Sequence, residues 1–191
     1  MALALHECCD SHCPEWAIYL VEAVTDFVVW RESPTGEVSG ETAGWLLEWL
    51  TEAGAVRVSA GLEILLHVLE VARAVPAFLS AATLNQLRLA MLPEPRGAYA
   101  DRRAKGRGVS RDDLAFVWRV LRSGIDRGAG DLSRAERRIL NEIHLLADPK
   151  DHHQGWRELI TLAMNEPETR EIRIDEPRTQ QRSLSAKSHA A

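Results

Sequence analysis

Helix starts recur along this sequence, and the first of them is marked by the stretch Gly36-Glu37-Val38-Ser39. Similar starts stand at Ser59, Ser110 and Ser133. A serine directly before an apolar helical pattern is a preferred N-cap, because its hydroxyl accepts a hydrogen bond from a free N–H of the first turn. Such a pattern follows each of the four serines, so each is predicted to cap a helix.

Two of these starts carry an acidic residue three positions later, which is the capping-box arrangement. Asp113 follows Ser110 at this spacing. Glu136 follows Ser133 in the same way. Capping and the favourable field at a helix N-terminus explain both carboxylates. We therefore assign neither to catalysis.

Further helical patterns complete the predicted fold. Apolar residues dominate positions 16–30, Pro76 opens another helix, and Trp156 belongs to a last one. Residues 171–175 are the only alternating segment, and it is short. The sequence therefore predicts an all-α protein, with about seven helices forming a compact bundle.

The helical patterns fall into two similar halves. Residues 36–92 and 108–165 each contain a capped helix, a second helix after a short loop and then a third helix. Gly54 and Gly124 are predicted to end corresponding helices. Residues 93–107 contain Pro, Gly and basic residues, which are typical of a linker. We therefore predict pseudo-repeats of a duplicated three-helix unit.

The two ends of the chain differ from this pattern. Residues 1–13 contain few helix signals, and residues 166–191 are polar and rich in Pro, Gln and Ser. Segments of this kind bury too little apolar surface to offset the entropy lost on ordering. We therefore predict a helical domain over 14–165, between a flexible N-terminus and a disordered C-terminal tail.

Charge is divided unevenly along the 191 residues. The net charge is −5, and residues 1–92 contain 4 Lys or Arg against 12 Asp or Glu. Such an acidic half repels anionic polymers. The basic stretch at 102–107 lacks the aromatic residues of a single-strand binding site. We therefore expect no nucleic-acid partner.

Apolar runs in this sequence are short. None approaches the roughly 18–20 residues that cross a bilayer, and positions 1–5 are too short for a signal-peptide core. We therefore expect no membrane insertion and a cytoplasmic protein.

Two groups of side chains contain metal-ligand types. The N-terminal group consists of His6, Cys8, Cys9, Asp10, His12 and Cys13. Thiolates and imidazoles suit zinc, but adjacent Cys8 and Cys9 do not match a zinc-knuckle spacing, which favours an idle terminus. The second group consists of Asp148, Asp151, His152 and His153, which could ligate a metal or carry out acid–base chemistry. A helix entry with acids favoured by the helix dipole is the alternative.

The six tryptophans are numerous for this length. Their helical spacing predicts that most are core residues. A minority could frame a groove for a protein partner, because Trp is enriched at interface hot spots.

Several motifs resemble TerB-like proteins of the tellurite-resistance group. The first half carries the resemblance at 34–39, 62–66 and 75–76. The second half resembles an uncharacterised bacterial branch of that group, and the likeness covers roughly residues 25–165. It implies a compact helical bundle and, in some members, acidic residues that bind a divalent metal.

This sequence offers few oxygen ligands at the corresponding loops. Residues 51–57 contain one carboxylate, and residues 126–131 contain Asp126 and Asp131. Calcium needs about six to eight oxygen ligands. We therefore predict no cofactor and no catalytic residue, with a divalent metal kept as an alternative.

Three functions remain open at this stage. We favour a non-enzymatic protein-interaction module, linked to stress or to the cell envelope by the resemblance, with an undetermined oligomeric state. The first alternative is a metal-responsive helical protein that uses Asp126, Asp131 or the 148–153 loop. The second is a small enzyme with a site between the two halves.

Overall fold

The computed structural model describes residues 14–31, 33–102, 107–125 and 132–165. Seven α-helices lie within these residues, which confirms the predicted all-α class. They are α1 (Pro14–Thr25), α2 (Gly40–Leu50), α3 (Ser59–Val71), α4 (Ala77–Ala90), α5 (Arg111–Ile125), α6 (Arg134–Leu146) and α7 (Gln154–Asn165). A π-helical turn at Asp26–Trp30 continues α1, and a 3₁₀ turn at Pro149–Asp151 precedes α7.

Three of the four predicted serine caps are confirmed. The Ser39 hydroxyl accepts a hydrogen bond from the Thr42 N–H at 3.0 Å. Ser133 and Glu136 form a complete capping box. Ser110 and Asp113 do the same, because each side chain accepts the other residue's backbone N–H.

The predicted cap at Ser59 is wrong. α3 begins at Ser59 itself, Val58 occupies the N-cap, and no side chain caps this helix. The Val58 carbonyl instead accepts hydrogen bonds from the N–H groups of Gly61 and Leu62. Val58 has extended backbone angles and packs against the core, so its burial sets the point where the chain enters the helix.

Gly54 does not end α2, contrary to the sequence prediction. The helix ends at Leu50, and the next residues form an antiparallel hairpin of β1 (Thr51–Glu52) and β2 (Ala55–Val56). Ala53 and Gly54 both have positive φ, at 48° and 78°. A two-residue hairpin loop favours this conformation because its twist matches that of the strands.

Gln86 of α4 holds this hairpin in place. Its side-chain nitrogen donates to the Gly54 carbonyl at 3.0 Å, and its side-chain oxygen accepts from the Val56 N–H at 2.8 Å. The Gln86 side chain is buried, so it satisfies backbone groups that the short hairpin cannot pair by itself.

Helices α3 and α4 occupy the centre of the bundle. α3 packs against α1 and α5, while α4 packs against α2, α5 and most extensively α6. α7 packs against α6. The fully buried side chains of this core come from both predicted halves and include Leu46, Ile64, Leu65, Leu84, Leu87, Val117, Leu140, Ile143 and Trp156. The two halves therefore share one core, and their superposition stays a prediction.

The segment before α5 runs beside the loop before α7. The Asp148 N–H donates to the Arg107 carbonyl at 3.1 Å, and the His153 N–H donates to the Val109 carbonyl at 2.9 Å. Gly108 lies so close to the Asp151 backbone that a Cβ atom would overlap it. Glycine is therefore required where the two segments meet.

Candidate interaction surface

One face of α1 and of the turn after it places large apolar side chains in solvent. Ile18, Tyr19, Phe27 and Trp30 are each about half exposed or more, at 48–62%. The other face of the same element packs into the core through residues such as Leu20. Scattered exposed apolar side chains are ordinary, but a contiguous group is typical of a binding site.

An aromatic cluster joins this face to α2. The ring of Phe27 meets the ring of Trp45 edge-on, with centroids 6.4 Å apart. Trp45 in turn stacks on Trp49 at 5.5 Å. Trp45 is 46% exposed, so the stack extends the apolar face instead of closing it.

Carboxylates stand around this cluster on α2. Glu41 precedes Trp45 by one helical turn, and Glu48 follows it by one turn. Residues three and four positions apart are neighbours on a helix surface. Both glutamates are exposed, and neither has an ion-pair partner in the described part of the chain. The aromatic cluster therefore has an acidic border.

A groove of about 330 Å³ lies beside this face, where α1 meets α3, and Ile18 belongs to both. Most of its exposed lining area is apolar, and its polar groups are two carboxylates, one imidazole and one hydroxyl. The lining residues are Ala17, Ile18, Val21, Glu22, Ser59, Ala60, Glu63 and His67. We call this feature the α1–α3 groove.

Arg119 of α5 neutralises one wall of the groove. Its guanidinium donates to both carboxylate oxygens of Glu63, at 3.2 and 3.1 Å, and to Glu70 at 2.7 Å. Burial favours a raised pKa for Glu70, but hydrogen bonding and charge from Arg119, together with His67, outweigh it and hold the pKa below its usual range. These same carboxylates raise the pKa of Arg119.

Glu22 stands opposite this network on α1. It is exposed and has no ion-pair partner among residues 14–31, 33–102, 107–125 and 132–165. Glu63 is held by Arg119, whereas the Glu22 carboxylate is available to a cation from outside. We call the following group the acidic-apolar surface: the apolar side chains Ile18, Tyr19, Phe27 and Trp45 and the exposed carboxylates Glu22, Glu41 and Glu48.

The 148–153 loop uses its predicted ligand atoms for backbone contacts. Asp148 accepts from the Lys150 N–H at 3.0 Å, and Asp151 accepts from the Arg107 N–H at 3.2 Å. The His153 imidazole accepts from the Gly155 N–H at 3.2 Å. The structure therefore places these side chains in the entry to α7, as the alternative interpretation of this loop has it.

His152 is buried and contacts His144 of α6. Its Nδ1 accepts from the Val109 N–H at 3.2 Å, and its ring stacks on that of His144 at 5.3 Å. The ring of Trp156 lies 6.2 Å away. Burial lowers the pKa of His152, with the charges of His144 and Arg157 acting in the same direction.

Metal-ligand types do not converge in the described part of the chain. No group of three or more His, Cys, Asp or Glu side chains able to hold one ion occurs there. The N-terminal candidates His6, Cys8, Cys9, Asp10, His12 and Cys13 lie outside the described residues, as do Asp126 and Asp131. The 51–57 loop is the hairpin that Gln86 holds.

The prediction that most tryptophans are core residues is wrong. Trp156 is fully buried and Trp16 and Trp49 are partly buried, but the other three, Trp30, Trp45 and Trp118, are 43–48% exposed. The alternative, that some of them frame a surface for a partner, stays a prediction. A 3.6-residue period shows which residues share a face, and it does not show how much of that face another helix covers.

Comparison with known proteins leaves the chain unplaced: no family model, no curated protein and no solved structure matches it. Among the described helices, none is long and apolar enough to cross a membrane.

Proposed function

We propose that this chain is a protein-interaction module, and that its acidic-apolar surface binds a partner segment that is both apolar and basic. The observation that carries this proposal is the half-exposed Phe27–Trp45 pair within an acidic border. Large aromatic side chains at the centre of a contact supply most of its binding energy. Unpaired carboxylates around them select positive partners, because complementary charges raise the association rate and suppress wrong partners.

The charge distribution supports the same partner chemistry. Residues 1–92 hold three times as many acidic as basic residues, 12 against 4. An acidic partner or an anionic lipid surface would be repelled by this face. The resemblance to TerB-like proteins adds a context of stress or envelope function to the proposal.

A site-specific crosslink tests the proposed function. A photo-crosslinking side chain at Tyr19, which is 62% exposed, is introduced into the full chain and irradiated in cells. We expect the captured peptide segments to combine apolar residues with Lys or Arg. Trp45→Ser should lower the captured yield about tenfold, the change that follows from about 1.4 kcal/mol of binding free energy.

Trp118→Ser is the matched control, because Trp118 is similarly exposed but lies on α5. Its captured yield should equal that of the unmodified chain. Captured segments that are acidic, or a yield that Trp45→Ser leaves unchanged, would overturn the proposal.

A further inference from the structure

We infer that the α1–α3 groove is the anchor point for a basic amphipathic helix. An apolar side chain of the partner lies between α1 and α3, and a Lys or Arg one turn away pairs with Glu22. This inference rests on the proposed function. It adds that the partner segment is a helix and that the α1–α3 groove is where this helix makes its main contact.

The floor of the groove is built for an apolar side chain. Ala17 on α1 and Ala60 on α3 contribute minimal side chains to the lining, and Val21 adds a larger apolar one. Ile18 forms an exposed wall. A volume of about 330 Å³ lies at the lower end of ligand pockets, which suits one or two side chains better than a folded domain. Helices recognise such grooves through residues spaced by three or four positions.

Charge on the two walls is unequal. Arg119 holds Glu63 by two hydrogen bonds, so that wall is already paired. The Glu22 wall has no partner within the described residues. A cation that follows the anchor side chain by one turn therefore finds one free carboxylate, and an acidic helix finds only repulsion.

Two other occupants fit this chemistry less well. A second copy of the chain would bring its own acidic α1 face, with Glu15 and Glu22, against the same groove. Residues 177–191 carry Arg178, Arg182 and Lys187 without an acidic residue, but Leu184 is their only large aliphatic side chain. An amphipathic partner needs several apolar anchors at helical spacing.

Peptide binding tests the groove directly. A fluorescein-labelled synthetic helix of Leu and Lys, with its leucines at helical spacing, is titrated against the full chain and followed by anisotropy. A Leu and Glu helix of the same pattern is the charge control and should not bind. Ile18→Ser and Glu22→Gln should each weaken binding of the Leu and Lys helix by about tenfold.

Matched variants elsewhere separate the groove from general effects. Leu145→Ser removes a side chain that is 74% exposed on α6, and Glu158→Gln removes an exposed carboxylate on α7. Both should change the affinity by less than about twofold. If these two variants weaken binding as much as the groove variants, the inference is wrong.

The remaining outcomes are also decisive. If Trp45→Ser weakens binding and the groove variants do not, the proposed function stands and the groove is not the anchor. If the Leu and Lys helix binds no better than the Leu and Glu helix, the charge argument for both proposals fails. Competition by an unlabelled 177–191 peptide at equal affinity would make the chain's own tail the occupant. A dimer that Ile18→Ser converts to monomer would make it a second copy.

Discussion

His152 shows how a single side chain acquires its role from neighbours distant in sequence. Its Nδ1 accepts the Val109 N–H, and its other ring nitrogen is buried without a hydrogen-bond partner among the described residues. A neutral imidazole satisfies the Val109 contact, whereas a protonated one cannot accept it. The fold therefore favours the neutral form of this histidine.

We predict that His152 makes stability fall in mild acid. Burial, His144 and Arg157 lower the pKa of His152, against the opposing charges of Asp148 and Asp151. As the pH falls, the His152 side chain of the unfolded chain takes up a proton near pH 6.5, whereas that of the folded chain does so only at a lower pH. The contribution of His152 to the free energy of unfolding is therefore fully present above pH 6.5. It is lost as the pH falls from there through the lowered folded pKa. Urea unfolding between pH 7.5 and 5 measures the slope.

His152→Gln should flatten this slope, because glutamine does not titrate. Equal slopes in the unmodified chain and in His152→Gln would show that other groups govern the acid response.

At the scale of the element, two serines that both precede an apolar helical pattern play different parts. Ser133 caps α6 and receives the Glu136 N–H at 3.2 Å. Ser59 is the first residue of α3 and caps nothing. Val56 is buried and Val58 packs against the core, and this packing starts the helix one residue earlier than the sequence predicts, with Val58 at the N-cap. The N-cap preference of a residue decides where a helix starts only where core packing does not fix the residues before it.

We predict unequal costs for removing the two hydroxyls. Ser133→Ala should lower the free energy of unfolding by about 1 kcal/mol, because an N–H of the first turn loses its partner. Ser59→Ala should change the free energy of unfolding by less than about 0.5 kcal/mol. The Ser59 side chain is exposed, and backbone hydrogen bonds to the Val58 carbonyl, not this hydroxyl, start the helix. Urea denaturation of both variants measures the difference, and equal losses would restore Ser59 as a cap.

The whole molecule unites both predicted halves through α4 and α6. This pair makes the most extensive helix contact, and Ser80 of α4 donates to Glu136 of α6 at 2.6 Å. Leu84 in the first half and Leu140 in the second are both fully buried in one core. Because the core is shared, local opening of one half also exposes buried side chains of the other half to water.

We predict that a cavity in one half destabilises both. Leu84→Ala in α4 should lower the free energy of unfolding by about 2–5 kcal/mol. The free energy of opening measured at the amides of Leu140 and Ile143 in α6 should fall by the same amount, so these amides should exchange faster. Native-state hydrogen exchange measures both effects. Leu145→Ala, at an exposed position of α6, is the control and should cost less than about 0.5 kcal/mol. Unchanged exchange in α6 would mean that the halves unfold separately.

The sequence alone determined the all-α class, the seven helices of the described residues and three of the four caps. These features depend on contacts between residues a few positions apart, such as Ser110 with Asp113. Such local contacts can be predicted from the sequence itself. The hairpin after α2 escaped notice because its strands are two residues long, too short for an alternating pattern.

Only the tertiary structure decided which surfaces stay open and which side chains meet. His144 and His152 stack across eight positions, Arg119 reaches Glu63 from another helix, and Trp45 remains exposed although its spacing resembles that of a core residue. Each of these depends on which helix lies beside which, a matter settled by the packing of the whole core. Helical period shows the face of a residue, and packing alone shows what covers that face.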